Sequence, residues 1–220
     1  MTGIFHSVEH ALHVSFLVTS LPPRQKAQFR LALIQILEGV GHLDRRQAEF
    51  LDYLYGGSAS SSICFDGLTG EEIRAQCAMV VSSAKSHLLT PERNAIFLRY
   101  ACGMPARPGS AGCAADAGMP PSMEWKQAMV GLRTYLRPSL TLSCGEAILA
   151  LLAGHSRPKE RQEGLSYKEI SDATRVSVRT LERNAHIIRK RLRGLEQQAV
   201  LRLTPLFERD GVIATEDVAA

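Results

Sequence analysis

Apolar residues recur at three- and four-residue spacing through most of this 220-residue chain, and no long Val/Ile/Thr-rich stretch alternates apolar with polar side chains. A period near 3.6 buries one stripe of a helix, whereas a period of two would bury one face of a strand. The expected fold is therefore all-α. Hydrophobic residues make up 45% of the chain and charged residues 22%, which excludes a disordered or fibrous class. The longest apolar run, Ala147 to Ala153, has seven residues. A membrane-spanning helix needs about 20, so no membrane partner is expected. No basic residue precedes Arg24 and no small-residue cleavage site is present, so a secretory leader is not expected. Five scattered cysteines (Cys64, Cys77, Cys102, Cys113, Cys144) fit reduced thiols in a cytoplasmic protein better than a disulfide framework.

Along the chain, one helix is expected over 5–18. A second follows Pro22-Pro23 with Phe29, Leu33, Ile36, Leu37 and Val40 on its buried side, and a third runs from Asp44 to Tyr55. The Ser- and Gly-rich stretch 57–70 reads as a loop. Thr69 and Glu72 have the spacing of a capping box ahead of a stripe of Ile73, Cys77, Val80, Ala84 and Leu88. Thr90-Pro91 opens another helix carrying Ile96, Phe97 and Tyr100, with proline where its missing N–H does no harm. Residues 103–122 are rich in Gly and Pro and read as a linker; beyond it Trp125, Met129, Leu132 and Leu136 share one helix face. This gives a helical N-terminal domain over 1–102, the linker 103–122, a C-terminal domain over 123–213 and a tail over 214–220.

The C-terminal third carries most of the functional information. Ser143 and Glu146 have capping-box spacing, and so do Ser166 and Glu169, which open a short helix, Tyr167 to Thr174. Three residues on, Ser177 can cap a longer helix with Val178, Leu181, Ala185, Ile188 and Leu192 along its buried side. A short helix, a tight turn and a longer helix form a helix-turn-helix. Charge concentrates in the same place. Residues 157–193 hold eleven Lys and Arg against five acids, a local charge of +6 in a chain whose net charge is +4. Such a block suits a polyanion. With Val178, Leu181 and Ala185 inward, Arg179, Thr180, Glu182, Arg183 and His186 point outward near the helix start, where a recognition helix meets base edges of double-stranded DNA. Ser177 and, upstream, Arg157, Lys159 and Arg161 are the expected phosphate contacts, and Lys168, Arg175 and Lys190 are further expected DNA contacts.

Leu142-Ser143…Glu146…Leu151-Leu152-Ala153, Leu165-Ser166-Tyr167-Lys168-Glu169-Ile170 and Val176-Ser177-Val178-Arg179-Thr180-Leu181-Glu182 resemble the four-helix DNA-binding domain of LuxR-type regulators. The layout is also similar to region 4 of bacterial sigma factors. The resemblance covers about residues 142–213 and includes Gln198 to Arg202 and Gly211 to Ile213, which resemble that family's last helix. The chain as a whole resembles regulators of phages and mobile elements. What the resemblance implies is a transcription regulator with its recognition helix starting near Ser177. Three departures stand out. His155 to Glu163 is inserted between the first two helices, Thr174 replaces a core Leu, and Arg175 stands where the family has a turn Gly, a position that often needs positive φ.

A helical adaptor that binds RNA polymerase or another regulator through the same domain is the alternative, since fold alone does not fix function. One helix-turn-helix offers few base contacts, so a second copy of the chain or a recruiting partner is expected. Ala199, Val200, Leu203, Leu206 and Phe207 either form that homodimer surface or pack on the protein's own core, with Pro205 a possible end to the helix. His6, His10 and His13 share helical spacing, and Cys102 and Cys113 flank the linker, but neither set completes a metal site and none is expected. Ala114 to Met119 with the Trp125 helix is a weak second helix-turn-helix. No nucleophile elbow, phosphate-binding glycine loop or clustered acid–base pair occurs, so neither catalysis nor a cofactor is expected.

Overall fold

The computed structural model describes residues 4–20, 70–103, 121–156 and 165–213. The expected helices over 22–40 and 44–55, the 57–70 loop except Gly70, most of the linker and the 214–220 tail lie outside these residues. So do the weak second helix-turn-helix over 114–119 and Cys113. Among the described residues the fold is all-α. Seven α-helices are present, with one isolated backbone bridge between Phe5 and Ile213 in place of any strand. They are α1 (Val8–Ser20), α2 (Gly70–His87), α3 (Thr90–Tyr100), α4 (Met123–Leu136), α5 (Gly145–Ser156), α6 (Tyr167–Thr174) and α7 (Val178–Arg209). None is long and apolar enough to cross a membrane.

The described residues belong to two compact units, divided otherwise than the Gly/Pro-rich linker suggests. One contains α1, α2 and the chain from Arg202; the other contains α3 to α6 and α7 as far as Leu201. In the first unit α1 packs on α2, where Cys77, Val80 and Ala84 are fully covered. The Cys77 thiol is pushed up to about 11 by burial, partly offset by the Ser15 hydroxyl and the charge of Arg74, so it is an inert core residue. Phe5 lies ahead of α1 rather than in it, and its N–H donates to the Val212 carbonyl at 2.8 Å. The last turn of α7 ends in a Schellman motif. Gly211 takes φ 68°, the Val212 N–H reaches the Phe207 carbonyl at 2.8 Å, and Phe207 and Val212 are both buried.

In the second unit α3 and α4 form an antiparallel pair. The Trp125 indole donates to the Leu98 carbonyl at 3.2 Å, and Gly131 lies so close to Asn94 that a Cβ there would stand 2.3 Å from its Nδ2. The expected face of Trp125, Met129, Leu132 and Leu136 is buried, and Ser122 caps α4 by accepting from the Trp125 N–H at 3.0 Å. Helix α5 starts after Cys144, whose carbonyl accepts from the Ile148 N–H, so the helix begins one residue beyond the Ser143 cap that the spacing suggests.

Two expectations for the C-terminus need correction. Helix α7 runs 32 residues without a break, through Gly194 and Pro205, so no separate last helix exists of the kind the resemblance implies. A mid-helix glycine costs only about 1 kcal/mol relative to alanine, which the buried stripe offsets. Pro205 removes one N–H, and its would-be acceptor lies on Leu201, which is exposed. Leu203 and Phe207 are 0% and 1% exposed, and Ala199 is buried. Three of the five residues suggested for a homodimer surface are therefore covered within a single chain, and Val200 and Leu206 are half-buried.

Candidate nucleic-acid interface

The helix-turn-helix is built by local chemistry on both sides of a three-residue turn. Ser166 opens α6 with a reciprocal capping box: its hydroxyl accepts from the Glu169 N–H at 3.3 Å, and the Glu169 carboxylate accepts from the Ser166 N–H at 3.0 Å. At the other end the Arg175 N–H donates to the Ser171 carbonyl at 2.8 Å while Arg175 adopts the left-handed conformation, φ 58°. It is the one described non-glycine residue with positive φ. The turn thus has the backbone geometry for which a glycine is suited, with an arginine in place. Thr174 half-buries itself and donates its hydroxyl to the Ile170 carbonyl at 2.6 Å, tightening the same turn.

Ser177 then caps α7. Its Oγ accepts from the Thr180 N–H at 3.3 Å and lies 2.8 Å from the Thr180 hydroxyl. Thr180 is half-buried, and its hydroxyl is engaged with the exposed Ser177 cap. Val178 is a correction to the sequence pattern. Expected inside, it is 38% exposed. As the first helical residue it lies beyond the point where Leu181, Ala185, Ile188, Leu192 and Leu195 close the buried stripe.

Asn184 is a residue that sequence reasoning missed. It is fully buried on that stripe, and three hydrogen bonds satisfy it. Its Oδ1 accepts from the Thr141 N–H at 3.0 Å, and its Nδ2 donates to the Thr141 hydroxyl at 2.9 Å and the Thr180 carbonyl at 2.8 Å. The signal was its register: position 184 lies three residues after Leu181 and four before Ile188. A second tie joins α6 to α7, where Arg189 donates to the Tyr167 hydroxyl at 3.2 Å. A third holds α7 within the unit. Buried Glu196 accepts from Arg99 of α3 and lies 3.9 Å from His155 Nε2 of α5. Burial pushes the Glu196 carboxyl up, but hydrogen bonds and charge from His155 and Arg99 outweigh it and hold the carboxyl below its ordinary range.

With these ties in place, Arg179, Arg183, His186 and Lys190 are exposed along a single stripe of α7, spaced four, three and four residues apart. None of the four pairs with an acid among the described residues. Glu182 is the single acid between Val178 and Arg193. Lys168 and Arg175 are exposed on α6 and in the turn, and Ser177 is exposed at the helix start. Arg157, Lys159 and Arg161 lie outside the described residues. The three histidines do not converge on a metal: His6 is exposed ahead of α1, His13 is half-buried, and His10 is buried edge-on to Phe5 with ring centroids 6.1 Å apart. Among the described residues no His, Cys, Asp or Glu cluster could hold one. Neither a protein-family model nor a curated protein matches the chain.

Proposed function

We propose that this chain is a cytoplasmic, non-enzymatic transcription regulator that reads double-stranded DNA through α6, the Arg175–Ser177 turn and α7, in the manner of LuxR-type and sigma region 4 domains. The observation that carries it is the exposed stripe of Arg179, Arg183, His186 and Lys190 on the helix that follows the turn. Arginines and a lysine without acidic partners among the described residues, on a helix that follows such a turn, match the phosphates and guanine edges of a major groove. Arg179 and Arg183 read bases, and Lys168, Arg175 and Lys190 hold phosphates. Arg157, Lys159 and Arg161 supply further phosphate contacts, and RNA polymerase is the natural protein partner once the site is bound.

Selection of duplexes from a random pool by the full chain tests this, followed by binding at several salt concentrations. Arg179→Ala and Arg183→Ala each lose discrimination at one or two base pairs, at a cost of roughly 1–3 kcal/mol. If the wild-type chain enriches no sequence, or both variants keep its preference and affinity, the recognition-helix assignment is wrong.

A further inference from the structure

The exposed stripe of α7 is not uniformly basic, and its two exceptions lie on one side. Glu182 is exposed, and Val178, also exposed, sits four residues before it and therefore one turn below on the same side. Neither suits a phosphate. A carboxylate is repelled by one, and an apolar side chain gains nothing beside one. Both suit base edges, where cytosine N4 and adenine N6 donate hydrogen bonds and where the thymine C5-methyl is the apolar group of the major groove. Val178 adds two features of its own. It belongs to the first turn, the part of a recognition helix nearest the bases, and its β-branched side chain has little rotamer freedom to lose on contact.

We infer that Val178 is a specificity-determining residue that packs against the C5-methyl of a thymine, with Glu182 one turn on facing the neighbouring base edges. This rests on the DNA-binding reading above. It adds to that reading a residue outside the expected contact set and a requirement for thymine in the bound site.

Replacing thymine by deoxyuridine removes the methyl and leaves every hydrogen-bonding group in place. Full-length protein is titrated against its own selected duplex and against copies carrying deoxyuridine at one thymine position at a time. Burial of one methyl group corresponds to about a fourfold change in affinity. The wild-type chain is expected to lose about that factor at one thymine per recognition helix. Val178→Ala, shown folded by circular dichroism, is expected to bind the thymine and uracil duplexes equally. Indifference of the wild-type chain at every thymine overturns the inference, as does a Val178→Ala variant that keeps the full uracil penalty. Either result leaves sequence-dependent binding itself intact. A chain that selects no duplex at all removes the DNA-binding reading and this inference together.

Discussion

Arg175 shows how a single backbone angle can carry information that side-chain chemistry alone does not. An L-residue in the left-handed region costs roughly 1–2 kcal/mol against its ordinary conformations, and glycine avoids most of that. Arg175→Gly is therefore expected to raise stability by up to about 1 kcal/mol, less the entropy that glycine returns to the unfolded chain. The same change removes a phosphate contact and should flatten the slope of log K against log salt by about 0.9. Urea unfolding and a salt titration of duplex binding check the two halves separately. A destabilised Arg175→Gly protein contradicts the conformational account, and an unchanged slope contradicts the phosphate contact. At this scale the sequence was informative where residue types have strong local preferences. The Ser166–Glu169 box, the Ser177 cap and the turn position of Arg175 were all legible. Val178 was not, because helical spacing specifies the direction of a side chain but not how far its neighbours extend to cover it.

For a whole element, the question is what holds α7 in register. Asn184 supplies one answer, as a polar residue inside an apolar stripe, bonded to Thr141 and to the backbone of its own helix. Asn184→Ala removes three hydrogen bonds and leaves a small void, so a loss of roughly 1–3 kcal/mol is expected. A chemical-denaturation midpoint within error of wild type would show that the clasp is ornamental. Glu196 supplies another answer, and it is pH-dependent. Because its carboxyl is held below the ordinary range in the folded chain, its contribution is complete above the unfolded-state pKa, near 4.5, and fades as pH falls through the lower folded value. Glu196→Gln is thus expected to be less stable than wild type at pH 7, with the gap closing toward pH 3. A gap that is constant across that range sinks the linkage. The length of α7 was illegible for a related reason. Gly194 is a weak stop signal by propensity and Pro205 a strong one, and each is overridden in a helix with buried neighbours: Leu192 and Leu195 around the first, Leu203 and Phe207 around the second.

For the whole molecule, the all-α class followed from periodicity, whereas the division into units did not. The linker reading used composition, which marks where a chain can bend but not which helices choose each other. Helix α3 precedes the Gly/Pro-rich stretch and nevertheless pairs with α4 after it. Phe207 belongs to the unit that holds α1 and α2, and it is 1% exposed. Phe207→Ala is expected to cost roughly 3–5 kcal/mol there. Hydrogen exchange should then quicken in α1 and α2, and unchanged protection in both would show that the C-terminal turn is not part of their core. The Phe5–Val212 hydrogen bond has a further consequence for how the chain is born. Among the described residues the second unit is encoded between the two parts of the first, so a ribosome delivers α3 to α6 before it delivers Val212, the acceptor of the Phe5 N–H. Until the end of α7 has been made, the Phe5 N–H has no access to that acceptor, and the segment that holds α1 and α2 stays without its C-terminal part. Slow codons placed between residues 87 and 202 would lengthen that interval without bringing the two segments any nearer.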